Sequence, residues 1–204
     1  MKKNKMIIIL ALLTLTMSLS GCTQPAVVDP APLPTVQPSG SLIQSALDVS
    51  VLLKNQDMAG LGAFVDPVKG LRFTPYAYID TSTNIVFTAA QVPAMLTDTQ
   101  TYLWGAFDGS GDPIQMTPQN YYNQFVYDVD FANPNLIGNN VVIGTGNSIN
   151  NIVQAYPTAS FVEFHFTGFD PQYSGMDWKS LRLVFEQTGG IWYLVGIVHD
   201  QWTI

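Results

Sequence analysis

One cysteine, Cys22, occurs in the 204 residues, and none follows it. Whatever folds beyond position 22 therefore has no disulfide, no cysteine-ligated zinc or iron–sulfur centre and no thiol nucleophile. It must stand on its own apolar core. The stretch Ser41–Ile204, about 160 residues, is long enough for one domain to do so. Apolar residues make up 47% of the chain and aromatic residues 12%, well outside the composition of disordered sequences. Charged residues make up only 11%, under half the usual fraction of about 25%. The polar surface has to come from Asn, Gln, Ser, Thr and Tyr instead.

The first 22 residues have the layout of a secretory signal. Lys2, Lys3 and Lys5 precede an apolar run from Met6 to Met17, and Ser20 and Gly21 are small residues at a cutting position. The run is about twelve residues, against roughly 20 for a membrane-spanning helix. Leu19-Ser20-Gly21-Cys22 resembles the lipobox of bacterial lipoproteins, in which the cysteine thiol is diacylated and the chain is cleaved before it. The resemblance implies a signal peptide over residues 1–21, lipidation at Cys22, and an extracytoplasmic protein anchored to the bacterial cell membrane. Two acyl chains hold a protein stably, since each buried methylene contributes about 0.8 kcal/mol and one chain alone is marginal.

Residues 22–40 comprise the lipidated cysteine and a tether. Pro25, Pro30, Pro32, Pro34 and Pro38 punctuate it, Asp29 is its one charge, and no periodic apolar face runs through it. Proline-rich segments favour an extended polyproline II form of about 3.1 Å per residue, so residues 23–40 reach roughly 55 Å. Beyond the signal peptide remain Lys54, Lys69, Arg72, Lys179 and Arg182 against all fifteen acids, a net charge of about −10. An anionic surface without a basic patch excludes nucleic acid as a partner.

In the domain 41–204, Leu42, Ile43, Ala46, Val49 and Leu53 recur at helical spacing behind Ser41, which predicts a helix over Ser41–Asn55. Asp57 is placed to cap a second helix, Met58–Val65. Strands are predicted over Leu71–Ile79, Asn84–Phe87 and Thr101–Asp108, with the Gly-rich turn Asp108–Asp112 leading to a short strand around Ile114. Thr117-Pro118 opens a further helix carrying Tyr121, Tyr122, Phe125 and Val126. Strands follow over Val141–Gly144, Ser160–Gly168, Leu181–Glu186 and Ile191–Val198, the last two joined by Gln187-Thr188-Gly189-Gly190. The pattern is α+β, with helices on one face of an antiparallel sheet.

Leading helices and a closing hairpin of long aromatic strands resemble the NTF2-like superfamily, whose members wrap a curved sheet into a cone around a pocket. A cystatin-like helix on a sheet is the alternative. The closing segment Trp192–Ile204 also resembles the C-terminus of uncharacterised bacterial lipoproteins. The superfamily includes isomerases and dehydratases as well as binding and assembly domains, so fold alone leaves the function open.

Glu163 and His165 are the candidate catalytic pair. Two apart on one strand, they project to one face, opposite Val162, Phe164 and Phe166. Facing a pocket, they would supply general acid–base chemistry, with His199 and Asp200 as a second pair. Lacking an evident third group to orient them, they are expected instead as surface or structural residues, with an ordinary imidazole pKa and the ring in contact with water. Trp178, in the polar run Gly175–Trp178, is the candidate surface aromatic for stacking a ligand. The Asn-rich loop with Asn139, Asn140, Asn147, Asn150 and Asn151 has groups for a sugar. Asp108 and Asp112 fall short of the oxygen count of a calcium loop. No nucleotide, dinucleotide or zinc motif occurs, so no metal or cofactor is expected. These features favour a tethered, non-catalytic binding or assembly module for an envelope protein, a glycan or a small apolar ligand. The alternative is a small isomerase or hydrolase using Glu163 and His165.

Overall fold

The computed structural model describes residues 36–203. The expected signal peptide, Cys22 and residues 23–35 of the expected tether lie outside the described residues. Helix α1, Leu42–Lys54, starts where Ser41 Oγ accepts the Gln44 amide. Helix α2, Met58–Phe64, starts where Asp57 accepts the Gly60 amide. Each cap satisfies an amide that the first helical turn leaves free. Just before α1, the Ser39 carbonyl accepts the Trp192 amide and the Ser39 amide donates to Ser45 Oγ, so the fold includes residues ahead of Ser41.

Eight strands follow among the described residues. β1 is Leu71–Thr74, β2 Val86–Phe87, β3 Tyr102–Ala106, β4 Pro113–Met116, β5 Leu136–Asn139, β6 Ser160–Phe166, β7 Lys179–Thr188 and β8 Ile191–Gln201. Helix α3, Pro118–Phe125, is capped by Thr117, and a single turn, α4, covers Ile152–Ala155. Six strands form one sheet in the order β2-β1-β8-β7-β6-β5, while β3 and β4 form a separate hairpin. The fold is α+β, and the sheet is mixed rather than antiparallel. β1 runs parallel to β8, with Arg72, Phe73 and Thr74 opposite Gly196, Ile197 and Val198. This pairing follows from a parallel bridge already set at Val65–Leu194, directly after α2.

Three strand boundaries differ from the sequence reading for identifiable reasons. β1 stops at Thr74 because Pro75 has no amide to continue a ladder. The strand beside β6 is Leu136–Asn139, not Val141–Gly144. Asn140, at φ +54°, turns the chain out of the sheet, and the Ile143 and Gly144 amides then find a carboxylate in place of a neighbouring strand. The closing hairpin is tighter than expected: Gly189 and Gly190, both at positive φ, form its two-residue turn.

The alternation along β6–β8 divides the sheet into two faces. Val162, Phe164, Leu181, Leu183, Leu194 and Ile197 face α1–α3 and the main core. Phe161, Val184, Val195 and Val198 face the other way, where Ile79 and Ile152 complete a smaller apolar cluster. The segment 140–159, which includes α4, closes this second face. Asn151 clamps it in place, accepting the Ile79 amide at 2.8 Å and donating to the Ile79 carbonyl at 2.9 Å.

Candidate functional site

On the second face, register places Glu163 of β6 opposite Arg182 of β7, and His165 opposite Ser180, which in turn faces Asp200 of β8. All five are buried. Glu163 Oε2 accepts from Arg182 Nε at 3.0 Å and from the Ile143 amide at 2.9 Å. Its Oε1 accepts from Ser180 Oγ at 2.6 Å and from the Gly144 amide at 2.8 Å. Arg182 Nη1 donates to Asp200 Oδ2 and Nη2 to the Gly144 carbonyl, both at 2.8 Å. A guanidinium with two carboxylates and two loop amides is a closed network, and it explains why charged groups survive at zero exposure. Burial pushes the Asp200 carboxyl above its ordinary value, opposed by Arg182.

Serine, histidine and a carboxylate meet here, but in an order that performs no nucleophilic chemistry. Ser180 donates its one hydroxyl proton to Glu163, so it accepts from His165 Nδ1 at 2.8 Å. The imidazole therefore donates to the hydroxyl rather than drawing its proton away, the reverse of an activated serine. His165 is 6% exposed, which overturns the expectation of a ring in contact with water. Burial depresses its pKa, partly offset by Glu163 and reinforced by Arg182. A depressed folded value means that the unfolded chain takes up a proton first as pH falls. The stability due to neutral His165 is thus complete above about 6.5 and is lost as pH falls below it. Denaturant unfolding at pH 7.5 and 5.5 should show the wild type losing more stability than His165→Asn. Equal losses in the two proteins would refute this assignment.

His199 does not join the pair. It lies on the helix-facing side of β8, its Nδ1 donating to the Pro75 carbonyl at 3.1 Å and its ring edge-on to Phe125. Its Nε2 is 3.4 Å from Asp128 Oδ2, and Asp128 also pairs with Lys179. Burial opposes ionisation of Asp128, but the imidazole and ammonium outweigh it and hold the carboxyl below its usual range. Glu163/His165 and His199 thus occupy opposite faces of one sheet, and Asp200 serves the first cluster only.

Trp178 is corrected as well: it is 7% exposed. Its ring lies under the 140–159 segment, where Gly144 and Gly146 have no side chain to keep it out. Trp104 is deeper still, and Trp192 and Trp202 are half-buried. Of the Asn-rich loop, Asn140 and Asn151 are spent on backbone partners, while Asn147 faces an open cleft.

Two adjoining clefts open on the surface among the described residues. The first, about 490 Å³, has Tyr76, Tyr78 and Phe107 as apolar walls and Asn84, Asn147 and Ser148 among its polar ones. The second, about 580 Å³, lies against α3, with Asn120, Asn123, Gln124 and Gln201 beside Met116 and the Asp128–Lys179 pair. Tyr76 and Phe107 line both, so the clefts are contiguous. The sequence reading named neither. Their aromatic residues come from the segment after β1, from β3 and its end, and from α3, and these converge because β1 is inserted beside β8. Among the described residues, no three His, Cys, Asp or Glu side chains cluster to hold a metal ion, and no helix is long and apolar enough to cross a membrane.

No protein-family model, curated protein or solved structure matches the chain.

Proposed function

We propose that the protein is an extracytoplasmic lipoprotein, held on the bacterial membrane through Cys22, whose domain is a non-catalytic binding module. One observation carries the choice of binding over catalysis. The paired acid and base are sealed, with their hydrogen-bonding capacity consumed by the fold, whereas the two adjoining clefts carry aromatic and carboxamide groups. A general acid or base has to reach a proton on its substrate, directly or through one water. Glu163, at zero exposure, has no such access.

For the domain we propose an NTF2-like cone. The leading helices on one sheet face and the long closing hairpin support it, as does the register shift between Val184 and Phe185, since bulges of this kind bend a sheet. The helix-facing side of the sheet is filled by the main core, and the clefts open at its edge, against Trp104 and Phe125. Such an arrangement suits a module that presents a groove at its surface.

Cys22→Ser tests the anchor. The wild type should partition with membranes and give a mature mass that starts at Cys22 with added acyl chains. The variant should lose the lipid mass and leave the membrane fraction. A mature N-terminus elsewhere in the wild type, without lipid, would overturn the lipoprotein reading.

A further inference from the structure

The binding-module reading says nothing of the ligand, but the groups in the two contiguous clefts do. Recognition of an anion requires an unspent positive charge, and neither cleft supplies one: Lys179, the one cation in their walls, is paired with Asp128. Asp80, in the wall of the first, accepts from the Ser82 amide at 2.9 Å and from Ser82 Oγ at 2.5 Å, which closes its own turn. These bonds pull its pKa down to about 2, so the carboxylate stays ionised and, with exposed Asp108, gives the first cleft a negative edge that disfavours anions. Asp108 accepts the Gly109 amide at the tip of the β3–β4 hairpin. In the second cleft, Asp128 is neutralised by Lys179.

Apart from Asp80 and Asp108, the uncommitted polar groups are neutral. Asn123 Oδ1 accepts from Gln119, which leaves its Nδ2 free, and Asn120, Asn123 and Gln124 are exposed along one side of α3. Asn147 donates only a long 3.5 Å bond to the Thr203 carbonyl, leaving its Oδ1 open beside Tyr78 in the first cleft. A carboxamide offers a donor and an acceptor at fixed spacing, which matches the vicinal hydroxyls of a sugar. Tyr78, 55% exposed, offers an amphipathic ring whose face can cover the C–H surface of a pyranose. An acyl chain, in contrast, would leave this row of amides unpaired, and each buried polar group without a partner is costly.

We infer that the two clefts form one groove for a neutral glycan of several sugar units, with Tyr78 stacking on one unit and the α3 carboxamides bonding another. The inference rests on the binding-module reading. Two adjoining concavities that share Tyr76 and Phe107 suit an oligomer rather than a single sugar. The 140–159 segment supplies Asn147 and Ser148 to the groove and is itself pinned by Glu163 and Arg182 through Ile143 and Gly144. The sealed network on the sheet thus positions one wall of the open groove.

The test is NMR titration of the mature chain carrying Cys22→Ser, using cellotetraose, chitotetraose, maltotetraose and mannotetraose, with decanoate as an apolar probe. At least one tetrasaccharide should bind and shift the amide signals of both Tyr78 and Asn123. Tyr78→Ala should weaken that sugar about tenfold, and Asn123→Ala by several-fold. The matching disaccharide should bind more weakly than the tetrasaccharide. Failure of all four tetrasaccharides to move these signals overturns the glycan inference. If decanoate alone moves them, the groove still binds a ligand and only its class is wrong. If no probe moves them, the binding-module reading falls with it.

Discussion

Replacing Arg182 by alanine should destabilise the domain by about 3–5 kcal/mol, the cost of stripping one partner from a buried ion network. Glu163 and Asp200, at 0% and 2% exposure, would lose the guanidinium between them and face each other as carboxylates in a dry interior. The Gly144 carbonyl would lose its donor as well. Against a typical stability of about 5–15 kcal/mol, that loss is a large fraction of the whole. The damage should also be local before it is global. Ile143, Gly144 and Ser148 are all held by groups of this network, so the 140–159 segment should become the first site of limited proteolysis. Denaturant midpoints with an unchanged slope, together with the position of the first cut, measure both effects. A loss under 1 kcal/mol with no new cleavage would show that the network contributes little to the fold.

Replacing the whole network by apolar residues is often harmless when a buried salt bridge stands alone. It should not be harmless here. Glu163 accepts two loop amides that are not paired in any strand, and an apolar substitute would leave both without an acceptor. The network therefore substitutes for the strand that the sequence pattern places over Val141–Gly144. That apolar stretch is docked through two amides on a carboxylate instead of on a ladder. The pattern in Glu163 and His165 was visible as two polar residues on one face of a strand. Their meaning depended on what lay opposite, and Arg182 lies opposite Glu163 only in the register that the β7–β8 hairpin and the β6 pairing create. Local periodicity carries no record of such pairing across nineteen residues.

Much else could be read locally because its causes are local. Ser41, Asp57 and Thr117 each cap the helix that follows them, and a cap acts within three residues. Gly189 and Gly190 turn the closing hairpin through their own positive φ. Trp178 misled for the opposite reason. Its neighbours are polar and surface-like, yet its ring is covered by a segment more than thirty residues earlier, where glycines at 144 and 146 leave room. The groove was equally hidden, since Tyr78, Asn123 and Asn147 come from three separate stretches and no short window contains them.

The second large effect is expected at Trp104, which joins the separate β3–β4 hairpin to the rest of the molecule. It is 1% exposed and stacks on Tyr121 of α3 at 3.8 Å between ring centres, 13° from parallel. Phe73 of β1 meets it edge-on at 6.1 Å, Phe87 of β2 lies against it at 6.1 Å, and its Nε1 donates to the Met116 carbonyl at 2.9 Å. Four elements thus share one ring. Truncation to alanine removes that contact area and leaves a cavity among aromatic rings too rigid to refill it, which costs about 3–5 kcal/mol. Tyr78→Ala, at the exposed rim of the same cleft, should change stability by no more than about 0.5 kcal/mol. The contrast separates support of the groove from contact with its ligand. Trp104→Ala should lower the denaturation midpoint and also weaken sugar binding, because Phe107 follows β3 on the hairpin that Trp104 anchors. Trp104→Phe keeps most of the apolar area and loses the indole hydrogen bond, so its destabilisation should be smaller than that of alanine. If Trp104→Ala unfolds at the wild-type denaturant concentration, the hairpin is held by other contacts and the aromatic cluster is not the joint between the two sheets.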